Sequence, residues 1–227
     1  LLDDYNITAE LTATKRVGFH RYTFPADSRS HIILDIGNKQ GESGEVTDAG
    51  IQMIDDTHFE GFVVTYPQYL RLYDPEGKVA MYFYGEISKK PESVGAFTEH
   101  SIHENALSAK GKGAGLFLNY QTTANEKIEI KVGLSYTSTS NAKGNLMAEG
   151  AALSFNDAKT KAQNVWQQEL AKIVVEGTDE QNKIKFYTGL YHALSGRGIA
   201  SDVNGAYPMH GGRAGQLQSV NPNEKPE

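Results

Sequence analysis

The 227-residue chain contains no cysteine. Disulfides, thiolate-bound metals and cysteine nucleophiles are excluded together, while the redox compartment stays open. No apolar run approaches the ~20 residues that a membrane-crossing helix needs; stretches such as Phe62-Val63-Val64 are strand-sized. A cationic surplus is also lacking. Lys and Arg number 22 against 28 Asp and Glu, a formal net charge of -6, which disfavours a nucleic-acid backbone or an anionic membrane as the main partner. The opening Leu1-Leu2-Asp3-Asp4 has no charged-then-apolar leader, so any signal peptide is expected outside this sequence. Tryptophan occurs once, against 12 Tyr and 9 Phe, and there are 23 glycines. That balance favours β-structure with many turns.

What is present, over the first two-thirds, is period two. Ile128, Ile130, Val132, Leu134 and Tyr136 alternate with Lys127, Glu129, Lys131, Gly133 and Ser135, giving one buried and one wet face. Asn6–Ala13 and Arg16–Phe24 read as two further strands. The run His31-Ile32-Ile33-Leu34-Asp35-Ile36 predicts a central strand covered on both faces. Ile51–Ile54 and Phe59–Val64 flank Asp55-Asp56-Thr57 as a hairpin. Asp74-Pro75-Glu76-Gly77 has the residues of a type I turn, separating an expected strand at Tyr69–Tyr73 from one at Val79–Tyr84. Short strands with regular turns and no intervening helix predict a β-sandwich.

The period then changes. Ala142, Leu146 and Ala148 predict a short, weakly amphipathic helix between Ser140 and Gly150. Ser154-x-x-Asp157 resembles a capping box and opens a run of Phe155, Ala158, Ala162, Val165, Trp166, Leu170 and Ile173 at helical spacing, ended by Gly177. Trp166 on that stripe is expected in the core. Thr178-x-x-Gln181 predicts another cap, and Ile184, Tyr187, Tyr191 and Leu194 one face of a helix stopped near Gly196. Two capped helices and a loop cannot bury a second core alone, so this part reads as the beginning of a larger unit.

Chemical motifs are thin. His100 and His103, flanked by Glu99 and Glu104, have metal-like composition, but residues i and i+3 of a strand diverge, so a solvated loop or strand end is expected. Gly111-Lys112-Gly113-Ala114-Gly115 leads into a strand rather than a helix and reads as a turn, not a phosphate loop. Asp202-Val203-Asn204-Gly205 matches only the first positions of a calcium loop and reads as an Asx-type turn. No Gly-x-Ser-x-Gly occurs, and sequence cannot choose a carboxylate pair from 28 acidic residues.

Several longer stretches are more specific. Glu10 to Phe24, Lys131 to Leu146 with Ala148-Glu149, and Trp166, Leu170 and Ile173–Gly177 occur in order, followed by Phe186–His192 and Ser201–Tyr207. Together they resemble glycoside hydrolase family 92. That resemblance implies an antiparallel, supersandwich-like β-sandwich at 1–139, a helical linker at 140–177, and the start of an (α/α)6 catalytic barrel at 178–227. It also implies an exo-acting, calcium-dependent, inverting α-mannosidase, bacterial and exported to the periplasm or cell surface. Its substrates would be mannose-containing glycans, with α-1,2 as the working linkage and others open.

In that family the catalytic Glu and Asp and most calcium ligands follow the segment matching Tyr207. The resemblance therefore implies that the catalytic residues lie C-terminal to Glu227, with neither a catalytic nor a metal-binding residue within 1–227. This chain is expected to be the non-catalytic partner of the remaining barrel. The loop after the first barrel helix implies Asp202, Asn204, Tyr207 and His210 as sugar-facing candidates, set against a loop whose Asp202 and Asn204 merely satisfy their own turn. Two alternatives stay open: a stand-alone carbohydrate-binding sandwich, and a structural sandwich whose helices recruit another chain.

Overall fold

The computed structural model describes residues 1–39, 41, 44–75, 77–196, 198–209 and 214–216. Thirteen strands and three α-helices follow one another among these residues. The strands are β1 (Thr8–Ala13), β2 (Val17–Phe24), β3 (Asp27–Asp35), β4 (Glu45–Met53), β5 (His58–Tyr66), β6 (Val79–Ile87), β7 (Ser93–Phe97), β8 (Ile102–Glu104), β9 (Ser108–Lys110), β10 (Gly115–Thr122) and β11 (Glu126–Ser135). Then come α1 (Thr139–Glu149), α2 (Phe155–Leu170), α3 (Glu180–Leu194), β12 (Ala206–Pro208) and β13 (Ala214–Gln216).

A seven-stranded antiparallel sheet, ordered β1-β2-β11-β6-β5-β4-β9, faces a four-stranded one, β3-β10-β7-β8. Ile128 and Ile130 of β11, Phe59 of β5 and Phe83 of β6 meet Leu116 and Leu118 of β10 between the sheets. The alternation in β11 thus does what its period requires, and the mainly β sandwich is the observed fold.

The opposite face of the large sheet carries a second layer. Val17, Phe19 and Tyr84 pack against Ala142 and Leu146 of α1 and Phe155 and Ala158 of α2. The close approach of α1 depends on Gly133: an added Cβ there would lie 2.3 Å from the Ala142 carbonyl oxygen. At the rim, the Arg21 guanidinium stacks 4.2 Å from the Phe155 ring centre while bonding Glu129 and Asn156.

Ser138 caps α1 by accepting the Asn141 amide. Ser154 caps α2 by accepting the Asp157 amide at 3.2 Å, and its own hydroxyl donates to the Asp157 carboxylate at 2.6 Å. The cap of α3 falls one residue later than expected, on Asp179 rather than Thr178. Its carboxylate accepts both Gln181 and Asn182 amides, which a single hydroxyl does less well.

Other expectations need correction. β3 is an edge strand, not a central one. Ile32 points into the core while Ile33 is 56% exposed, so the apolar run marks one buried face plus an uncovered side chain. Tyr69–Tyr73 forms a 3₁₀ turn at Leu70–Leu72 rather than a strand; Pro67 has no amide to continue the ladder. The Asp74 turn does close, with the Gly77 amide on the Asp74 carbonyl.

Helix α2 ends at Leu170, before Ile173, and Ala148 is exposed. Trp166 is half-buried, against Tyr191 at a ring separation of 4.5 Å, and lines an open cavity between α2 and the β1–β2 turn rather than the core. α3 itself buries no residue.

Candidate functional site

The segment 198–208 returns from α3 to the end of the large sheet where β1 turns into β2 and β11 runs out. Its first part, 198–202, lines a cavity of 340 Å³ with Ala13–Gly18, Met81 and Leu134–Tyr136. A tight turn shapes it: the Gly205 amide donates to the Asp202 carbonyl and the Asp202 amide to the Ala206 carbonyl. Gly205 has φ +84°, a left-handed conformation that glycine adopts without strain.

The three described candidates behave differently. Asn204 satisfies the turn, its Oδ1 accepting the Ala206 amide at 3.0 Å, while its Nδ2 donates to Asn141 of α1. Tyr207 is half-buried on β12, paired across to Gly215, whose missing side chain leaves room for the ring. Asp202 is 2% exposed. Its Oδ2 accepts the Ser135 hydroxyl at 3.0 Å and the Thr137 hydroxyl at 2.5 Å, and its Oδ1 accepts Asn145 Nδ2 at 2.7 Å. His210 lies outside the described residues. So does Glu227, the residue beyond which the catalytic carboxylates are expected.

Sequence reasoning missed the residues that hold this segment. Asn145 donates to the Leu134 carbonyl as well as to Asp202, and accepts the Val203 amide. Arg16 donates from Nε to the Ser201 carbonyl at 2.6 Å and from Nη1 to Glu149 at 2.6 Å. Glu149 also accepts the Thr14 hydroxyl and the Arg16 amide. Burial pushes its carboxyl up, but the hydrogen bonds from Thr14 and Arg16 outweigh that and leave it below the ordinary range. A readable signal did exist for Asn145: a polar residue beside Leu146, three after Ala142, on the stripe of α1 that packs on the sheet.

Chemically, inverting hydrolysis of a glycoside needs one protonated carboxylic acid and one carboxylate, roughly 6.5–9.5 Å apart across the sugar. Glu149 is shifted the wrong way for the acid, and Asp202 is surrounded by protein donors. The pair is built to hold chain segments together. His100 and His103 are both exposed, as a strand end would leave them.

A family model described as the glycosyl hydrolase family 92 N-terminal domain matches residues 1–135, and the corresponding catalytic-domain model matches residues 141–221. The chain belongs to glycosyl hydrolase family 92.

Its fold is shared with solved family 92 structures. The α-mannosidase BT3965 of Bacteroides thetaiotaomicron superposes with a TM-score of 0.85 at 24% identity, over 96% of this chain and 28% of that one. The inverting mannosidase BT2199 of Bacteroides thetaiotaomicron VPI-5482 gives 0.79 at 21% identity, over 92% and 28%. The family 92 glycosyl hydrolase ccman5 gives 0.81 at 22% identity, over 93% and 28%. The chain therefore spans 28% of the length of these solved relatives. Comparison with curated proteins gives no match.

The family 92 chain does not offer calcium a donor set among its described residues: no group of three or more His, Asp or Glu side chains converges there. Asp202 and Asn204 already spend their oxygens on protein donors. No helix among the described residues is long and apolar enough to cross a membrane.

Proposed function

We propose that this chain is the non-catalytic N-terminal part of an inverting exo-α-mannosidase, which removes terminal mannose from glycans. The observation that carries this reading is the order of the two family matches on one chain, sandwich first and barrel opening second. Within it we assign a sandwich at 1–139, a linker at 140–177 and a barrel opening at 178–227, the catalytic-domain match starting already at 141. The general acid, the general base and the calcium site belong to the remainder of the barrel, C-terminal to Glu227. Asp202, Asn204, Tyr207 and His210 are the residues of this chain assigned to the sugar side of the barrel opening, Asn204 and Tyr207 as the contacts within the described residues. An α-1,2 linkage is the first assignment to test, and export follows from the family reading.

The test is mannose release from a panel of α-mannosides, with calcium or with a chelator. The full-length protein should release mannose only with calcium, and residues 1–227 none, while keeping a β-type far-ultraviolet spectrum. Release by 1–227 would place the catalytic carboxylates within this chain. Retention of mannose glycans by 1–227 without turnover would favour a carbohydrate-binding sandwich instead.

A further inference from the structure

The segment 201–204 is tied to the sandwich and α1 at four successive residues. Arg16 Nε holds the Ser201 carbonyl, the Asp202 carboxylate holds Ser135, Thr137 and Asn145, Asn145 Oδ1 holds the Val203 amide, and Asn204 Nδ2 holds Asn141. Asp202 sits at the centre of this arrangement. It is the residue through which the end of β11, the β11–α1 link and α1 all reach the segment.

A carboxylate moved out of water must be matched by donors, or the segment that carries it moves back out. Here two hydroxyls and one carboxamide supply that match, from groups whose own positions are fixed by the sheet and the helix. Asn145 is fully buried and completes its amide on the Leu134 carbonyl and the Val203 amide. These bonds hold 201–204 against the sheet and α1, and Tyr207 follows only three residues later.

We infer that Asp202 is a positioning residue for the sugar site: it holds the loop bearing Asn204 and Tyr207 on the sandwich, and touches no sugar itself. This rests on the mannosidase reading above and extends it, because it makes the non-catalytic domain a determinant of turnover.

The experiment compares full-length wild type, Asp202→Ala and Asp202→Asn. It reads kcat and KM on an aryl α-mannoside, the pH–rate profile, and hydrogen exchange of the amides across 198–209. Asp202→Ala should lower kcat/KM at least tenfold and accelerate exchange at Val203 and Ala206, with the pH profile unchanged in shape. Asp202→Asn should recover part of the loss. Its amide oxygen still accepts from Asn145, and the Thr137 hydroxyl, which otherwise accepts only the Asn141 carboxamide, can turn to accept its N–H.

Equal damage in both variants with wild-type exchange would make Asp202 a sugar contact and overturn the inference. Wild-type kinetics in Asp202→Ala would overturn it as well. Should Asp202→Ala fail to fold, Asn145→Ala removes two ties, to the Asp202 carboxylate and to the Val203 amide, and should give the same pattern; unaltered exchange there overturns the inference. If wild type releases no mannose, the mannosidase reading fails, and with it a role in turnover. The exchange data then show separately whether Asp202 anchors the loop.

Discussion

Arg16 and Glu149 lie 133 residues apart in the chain and 2.6 Å apart in the fold, guanidinium to carboxylate. The same carboxylate accepts the Arg16 backbone amide, and the same guanidinium donates to the Ser201 carbonyl. One side-chain pair thus joins the β1–β2 turn, the last turn of α1 and the barrel-opening segment.

Both partners are largely buried, so removing one leaves the other short of its match. Glu149→Ala should destabilise the fold by about 3 kcal/mol, measured by urea unfolding at neutral pH. Because the folded Glu149 carboxyl is held below its ordinary value of 4.5, its contribution is complete above that pH and is lost as pH falls through the folded value. The gap between wild type and variant should narrow on acidification. A gap independent of pH would remove the ion pair as its cause.

Gly133 and Gly144 make an opposed pair. A methyl group at Gly133 meets the Ala142 carbonyl, whereas one at Gly144 meets nothing within 4 Å. Gly133→Ala should cost about 1–3 kcal/mol through forced separation of α1 from β11. Gly144→Ala, within α1, should add ~0.5–1 kcal/mol by helix propensity. Thermal melts of the two variants should move in opposite directions.

The alternation of β11 and the cap of α2 were legible because each is set by near neighbours in sequence. Edge placement of β3 was not, since an apolar run says nothing about which strands lie beside it. Nor was the burial of Asp202, whose donors Ser135 and Asn145 stand 67 and 57 residues earlier. In sequence its Asx-turn surroundings fit a solvated loop equally well. The turn reading did hold for Asn204, whose acceptor role is local.

Asp55 organises the β4–β5 turn by accepting the Thr57 and His58 amides and the His58 ring. The Thr57 amide and the His58 ring bring its pKa to about 2 from 3.8. Carboxyl-carbon NMR should find it still ionised at pH 3, where most exposed aspartates are protonated. Its support for the turn is present above 3.8 and disappears as pH falls towards 2. An ordinary titration would show that these bonds do not persist in solution.

Trp166 is the sole tryptophan, and its ring on α2 meets Tyr191 of α3. Trp166→Ala should raise hydrogen-exchange rates throughout α3 while leaving the two-sheet core protected. Unaltered exchange in α3 would mean that the helix is held by something other than this ring pair.

The strand order of the large sheet has a consequence for the timing of synthesis. β11 lies between β2 and β6, pairing Val17 with Gly133 and Ile87 with Ile130, yet it is the last of the sheet's strands to leave the ribosome. At about 5–20 residues per second, β2 waits on the order of ten seconds for its inner neighbour. During that interval the nascent chain carries two open sheet edges facing each other. The hazard of mispairing with another chain is then greatest in the middle of the future domain, and it closes when one strand arrives.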